Sequence, residues 1–203
     1  MAADTKEFTA KLKWLALMPV LLTPPYALTN RLHLFESHEV PRLAFDNAIA
    51  FMPELSGLYL SLFPFMWLSV LSQPTASEAR KFILGGTACS CLASLIFLVY
   101  PTTFPRPNID ASGVYAWIVT SDTPYNACPS LHGSYAVYSA AWLAGATTYV
   151  FYKLFVMLVA MAIFYATIAV RQHGIIDLTL GGLLGYVTFL WARSLPDKKK
   201  AAQ

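Results

Sequence analysis

Six apolar stretches, each close to the length of a membrane-crossing helix, fill most of this chain and leave few folds open to it. A spanning helix needs about 20 predominantly apolar residues. Such stretches occur at about residues 12–28, 55–71, 82–99, 131–147, 151–170 and 175–192. Only 12% of the residues are charged and 57% are hydrophobic, whereas a soluble domain carries about 25% charged residues. The expected fold class is therefore all-α, an integral membrane bundle of six transmembrane helices. With no internal repeat and no low-complexity segment, residues 1–203 read as a single membrane-embedded unit. Pro64 predicts a kink in the second span. The fourth span is the least apolar, because it carries Ser134, Tyr135, Tyr138 and Ser139. The first run follows Lys11 and Lys13 as a signal peptide would. It lacks a small-residue cleavage site and breaks at Pro24-Pro25, so it reads as a retained helix. Three cysteines make no disulfide framework. Cys89 and Cys91 read as packing residues, and Cys128 stands in a loop with no evident partner.

The basic residues orient the bundle. An even number of spans puts both termini on one side. That side collects Lys6, Lys11, Lys13, Arg80, Lys81, Lys153, Arg193, Lys198, Lys199 and Lys200, ten of the fourteen lysines and arginines. Arg31, Arg42, Arg106 and Arg171 fall on the other side. Positive charge marks the cytoplasmic face, so the termini are expected there. Lys198-Lys199-Lys200 is an orientation signal that also meets anionic lipid.

Two short motifs then fall on the outer face: Cys128-Pro129-Ser130-Leu131-His132, and Arg171-Gln172-His173-Gly174-Ile175-Ile176-Asp177. Each sets a histidine at the head of an apolar segment. The spacing of four puts His173 and Asp177 on one helix face, one turn apart. Ionisable groups at a membrane edge are costly and invite a functional explanation. The outer loop 101–129 brings Arg106, in Pro105-Arg106-Pro107, to the same side. Guanidinium forks bind phosphate bidentately, and helix N-termini offer N–H groups and a favourable dipole. Ser130 suits a cap or a donor there. Two histidines, a carboxylate and these arginines suggest a phosphate-handling site. Asp177 would fix the tautomer of His173 and stabilise positive charge on it, as base and orienter do in nucleophilic catalysis. His132 would exchange protons with the leaving oxygen and with water.

Each of these residues also has a plainer reading. Arg171 serves equally as a snorkelling flank, and Ser130 as a simple cap. His33 and His38 sit among Glu36 and Glu39 as solvated loop residues without metal-ligand spacing. Asp110, Asp122 and Asn126 are candidates for head-group contact. Gly181 and Gly185 form a small-xxx-small pair suited to helix packing.

These residues resemble the type-2 phosphatidic acid phosphatase superfamily, whose motifs are K-x6-R-P, P-S-G-H and S-R-x5-H-x3-D. Arg106-Pro107 matches the end of the first, Pro129-Ser130-Leu131-His132 the second with leucine for glycine, and His173 with Asp177 the end of the third. The lysine of the first motif is replaced by Val99 and the arginine of the third by Thr167; Arg171, two residues before His173, is the candidate substitute. The P-S-L-H and R-x-H-x3-D forms are similar to the branch that includes inositol phosphorylceramide synthase-like enzymes. The resemblance implies His173 as nucleophile, Asp177 as its orienter and His132 as acid, with Arg106, Arg171 and Ser130 on the phosphate. It implies a metal-independent lipid phosphatase domain working through a phosphohistidine on a lipid phosphate or polyprenyl diphosphate. Neither a metal nor another cofactor is expected, nor a nucleic-acid partner; the partners are the lipid substrate and surrounding membrane lipids. Transfer to an alcohol acceptor is the nearest rival. A non-enzymatic transporter or lipid-binding protein is a further one, disfavoured because no inverted repeat is present.

Overall fold

The structure is a computed structural model that describes residues 2–32, 34–109 and 111–197, with side chains from Thr5 onward. His33, Asp110 and Lys198-Lys199-Lys200 lie outside the described residues. The long helices are α1 (Ala2–Thr29), the segment Pro53–Leu71, α5 (Ala76–Val99), α7 (Leu131–Gly145), α8 (Val150–Ala169) and α9 (Ile175–Ser194). They coincide with the six apolar stretches. The segment Pro53–Leu71 is a single 3-10 turn followed by α3 (Ser56–Leu60) and α4 (Leu62–Leu71). Its break at Ser61 has a local cause: the ring of Pro64 clashes with the carbonyl four residues back, at Leu60, where α3 ends. Two shorter helices, α2 (Ala44–Ala48) and α6 (Gly113–Ser121), sit in the long connections.

Four of these segments are long and apolar enough to cross a membrane: Pro53–Leu71, Ala76–Val99, Val150–Ala169 and Ile175–Ser194. They mark a membrane protein. α8 turns Phe151, Leu154, Phe155, Leu158 and Met161 outward, a belt that suits hydrocarbon and would be an aggregation liability in water. α1 and α7 fall outside those four for different reasons. α1 carries Lys6, Lys11 and Lys13 and three prolines within its length. It does not break at Pro24-Pro25, as the sequence suggested, but continues to Thr29. Beside the diproline, the Ser90 hydroxyl donates to the Leu22 carbonyl at 2.7 Å, which ties α5 to α1. α7 has 15 residues, about 22 Å at 1.5 Å per residue, shorter than a hydrocarbon core of about 30 Å. It is the inner helix of the bundle: from Leu131 through Ala136, and at Tyr138, Ser139, Trp142 and Leu143, its side chains are buried. The polar character that weakened the fourth stretch in the sequence belongs to side chains that meet protein.

The connections are more ordered than an all-α reading allows. β1 (His38–Glu39) pairs in parallel with β2 (Thr102–Thr103), His38 opposite Thr102. This two-residue ribbon binds the 30–52 connection to the 101–129 connection. His38 is exposed and stacks on Tyr100 with ring centroids 4.4 Å apart. At the opposite end of the bundle, Glu78 receives Lys81 at 2.9 Å and Arg193 at 3.0 Å, and Glu7 accepts from the Ala76 N–H. The two ends are thus distinct. One is a charged clasp of α1, α5 and α9; the other carries the ribbon, α2, α6 and both histidine motifs.

α7 and α9 form the tightest pair. A Cβ on Gly181 would land on the Ser130 carbonyl oxygen, and one on Gly185 on the Ser134 carbonyl oxygen. A Cβ on Gly133 would stand 2.9 Å from the Leu178 carbonyl. The pair Gly181 and Gly185 is therefore the small-xxx-small packing face that its spacing predicts. Because the obstacle is backbone, it has little room to yield. Gly181→Ala is expected to destabilise the bundle by about 1–3 kcal/mol through overpacking. Its melting in detergent, read beside the exposed control Leu183→Ala, checks this; equal melting temperatures would show that the helices separate at little cost.

Candidate active site

His173 lies in the turn between α8 and α9, and Asp177 in the first turn of α9. Asp177 Oδ2 stands 2.6 Å from His173 Nδ1, and its Oδ1 accepts the Gly174 N–H at 2.8 Å. One buried carboxylate thus caps the helix and holds the imidazole. A carboxylate beside Nδ1 places the ring proton there and leaves the lone pair on Nε2. Asp177 is fully buried, and the His173 side chain keeps 14% exposure. The Asp177 carbonyl also accepts the Ser130 N–H at 2.9 Å, which sets the start of α7 against the start of α9.

His132 is the second residue of α7 and is buried. Its Nε2 is 2.8 Å from the Tyr59 carbonyl, and its ring stacks on the Tyr59 ring at 3.9 Å with 7° between planes. A carbonyl only accepts, so Nε2 carries a proton in this arrangement. Nδ1 has no hydrogen-bond partner among the described residues. Tyr59 therefore does for His132 what Asp177 does for His173, with a neutral acceptor in place of a charged one.

Both histidines line one cavity of about 540 Å3. Its walls come from α1 (Met18, Leu22, Tyr26), α3 and α4 (Tyr59, Phe63, Met66) and α6 (Trp117, Ile118). The space is apolar along α1 and α4, and Asn30, Arg31, Asp122 and Asn126 add a polar part to its wall. Tyr26 donates to Asp122 Oδ1 at 2.7 Å, and the Asn126 amide donates to Thr29 Oγ1 at 2.9 Å. The polar wall is largely hydrogen-bonded within the protein, to Tyr26, Thr29, Arg106 and the 123–125 backbone.

The other three expected site residues do not line the cavity. Ser130 is fully buried and caps α7, accepting the Gly133 N–H at 3.1 Å. Arg106 clasps the 122–123 turn: Nη1 donates to the Asp122 carbonyl at 2.6 Å and Nη2 to the Thr123 carbonyl at 3.0 Å. Its Nε is buried without a hydrogen-bond partner among the described residues. Arg171 adopts a positive φ of 55°, uncommon outside glycine. It donates through Nη1 to the Asp46 carbonyl at 2.5 Å and through Nη2 to the Ile49 carbonyl at 2.6 Å. Burial lowers its pKa from the ordinary arginine value, and the Arg42 guanidinium adds to this while Asp46 opposes it. Among the described residues, Arg31 is the basic side chain on the cavity wall.

Three contributors were missed in the sequence. Tyr59 acts through its carbonyl and its ring, and a backbone acceptor leaves no trace in residue identity. Arg31 stands just past the end of α1 with nothing to mark it. Asp46 is fully buried in α2 and accepts the Leu43 N–H at 2.8 Å and the Ile175 N–H at 2.9 Å. Its one sequence signal is an acid three residues after the cap of a five-residue helix, too short to stand out.

A family model, the PAP2 superfamily, matches residues 80–201, more than half of the chain, and the chain belongs to that superfamily. The superfamily covers phosphatases and phosphotransferases acting on lipid phosphates, and its members are phosphoesterases. Comparison with curated proteins and with solved structures gives no match. The matched region holds Arg106, His132, His173 and Asp177 and leaves out α1, Asp46 and Tyr59.

Cys128 tests the packing of this end of the bundle. Burial, with the Asp177 carboxylate adding to it, pushes its thiol up to about 11. Only the thiolate reacts, so in a protein lacking Cys89 and Cys91 the alkylation rate should be low at pH 7. It should rise about tenfold per pH unit, with no plateau before pH 10. A plateau near pH 8.5 would indicate an open, solvated thiol.

Proposed function

We propose that the chain hydrolyses a lipid phosphate or polyprenyl diphosphate without a metal, through a phosphohistidine on His173. The observation that carries this reading is the 2.6 Å contact between His173 Nδ1 and Asp177 Oδ2, on an imidazole that shares one cavity with His132. His173 Nε2 attacks phosphorus, the bond from phosphorus to the leaving oxygen breaks, and Asp177 stabilises the charge gathering on the ring. His132 would enter this step as the imidazolium, with Nε2–H kept on the Tyr59 carbonyl, and deliver the second proton, on Nδ1, to the leaving oxygen. It then takes a proton from water, which attacks the phosphohistidine and releases inorganic phosphate.

Charge neutralisation is the main demand of phosphoryl transfer. Arg31, on the wall of the same cavity, would meet it directly. Arg106 and Arg171 would add their positive charge to the phosphate site while still holding their backbone carbonyls, and Ser130 contributes by holding the N-terminus of α7. The apolar length of the cavity along α1 and α4 supports a lipid tail there. We also propose that α1 and α7 complete six spans in the cell membrane, with the termini cytoplasmic and the histidines at the non-cytoplasmic face. The charged clasp of Glu78, Lys81 and Arg193 at the far end supports that orientation.

Transfer to an alcohol acceptor is the second reading. It is favoured by the R-x-H-x3-D form shared with inositol phosphorylceramide synthase-like enzymes and by a polar wall on which acceptor hydroxyls could rest. Because Asn30, Asp122 and Asn126 are already hydrogen-bonded to Tyr26, Thr29, Arg106 and the 123–125 backbone, hydrolysis is the better fit. Product analysis with labelled lipid phosphate and candidate alcohols separates the two. Inorganic phosphate as the main product supports hydrolysis; accumulation of a new phosphodiester or phosphorylated alcohol supports transfer.

His173→Ala should abolish turnover in a folded protein. Asp177→Asn should lower kcat by about 10²- to 10⁴-fold, by loss of tautomer control. Excess chelator should leave the rate unchanged, and vanadate should inhibit. Normal turnover by His173→Ala, or chelator-sensitive activity restored by one divalent ion, would remove the mechanism.

A further inference from the structure

The carboxylate of Asp46 is fully buried, far along the chain from both histidine motifs, and outside the region the family model matches. A buried charge is costly to retain unless its oxygens are well satisfied. Here each oxygen has a backbone N–H: Leu43 on Oδ2, and on Oδ1 Ile175, the first residue of α9. The Asp46 carbonyl meanwhile accepts Arg171 Nη1. One residue therefore grips the catalytic turn on both sides of His173, at Arg171 before it and at Ile175 after it. The gap is closed by Gly174, where a Cβ would stand 3.0 Å from Asp46 Oδ2 and 2.9 Å from the Phe104 ring. Asp46 does not line the cavity.

We propose that Asp46 is a positioning residue for His173. Its carboxylate serves as an external cap on α9 and its carbonyl anchors Arg171, so that the 171–175 turn presents the imidazole in one orientation. The proposal rests on the reading of His173 as the reacting group. Asp177 alone holds the ring from one side. A ring at a helix start pivots with the backbone that carries it, and Asp46 fixes that backbone.

The test uses the full chain in detergent, labelled with [15N]histidine. There are four histidines, and His173→Gln identifies the His173 Nδ1–H signal by its loss. Two variants weaken the cap of Asp46 on this turn from opposite ends. Asp46→Asn keeps the shape and removes the charge and one acceptor. Ile175→Pro removes the N–H and sets the proline ring in its place, at a first helical position that suits proline. Gly174 before it is already extended, at φ −111° and ψ −176°, as a residue before proline must be.

Both variants should move the His173 signal toward that of a free imidazole, and the double variant should add little to either alone. Both should lower kcat about 10- to 100-fold with KM little changed, as misplacement of a reacting group does. An unmoved His173 signal in the folded variants overturns the proposal, as does a raised KM with kcat retained. If Asp46→Asn fails to fold, Ile175→Pro decides alone. Because the ring signal needs no substrate, a wild-type protein without turnover would sink the hydrolase reading while the signal still judged Asp46.

Discussion

Backbone contact between α7 and α9 sets where the two histidines stand. With no side chain at Gly181 or Gly185, the α9 backbone rests on the carbonyls of Ser130 and Ser134. The Ser130 N–H then reaches the Asp177 carbonyl. The N-termini of both helices come together at one end of the bundle, each with its histidine beside the first turn. Small residues are the means by which helices approach closely in a membrane, where burial of apolar side chains supplies little driving force. Larger residues at these positions would separate the helix starts and take His132 and His173 out of their common cavity.

Around that contact, the polar groups of the site end are spent mainly on holding backbone. Arg171 and Arg106 satisfy four carbonyls between them, and Asp46 and Asp177 together accept three backbone N–H groups. Loops buried at a bundle end carry backbone groups that helices do not satisfy, and charged side chains with several donors or acceptors suit that work. The result is a rigid frame on which one imidazole, His173, remains partly open. Preorganisation of this kind lets a site stabilise developing charge without rearranging when it reacts.

The sequence is most informative where function is written in short spacing. The interval from His173 to Asp177 is one helical turn, and the structure turns it directly into a 2.6 Å contact. The apolar stretches likewise reappear as helices, because their length reflects a physical requirement of the bilayer. Legibility fails where the determining contact is distant or made by backbone. α6 has nine residues, below the length that announces a span. The β1–β2 ribbon has two residues a strand, and no alternation can show in so few. Arg106 and Arg171 read as charges near the site, but the oxygens they face, in the 122–123 turn for Arg106 and in the 30–52 connection for Arg171, are set by how those connections fold. Tyr59 and Asp46 belong to segments that carry no motif at all.

Trapping the covalent intermediate tests the central claim most directly. Wild-type protein would be mixed with 32P-labelled lipid phosphate, quenched within one turnover, digested and sequenced by mass spectrometry. The account predicts an acid-labile, alkali-stable phosphoryl group on His173. It also predicts that the label persists longer in His132→Ala, where water is no longer activated. Rapid turnover with no protein-bound phosphate in either form, or label on any residue other than His173, would contradict it.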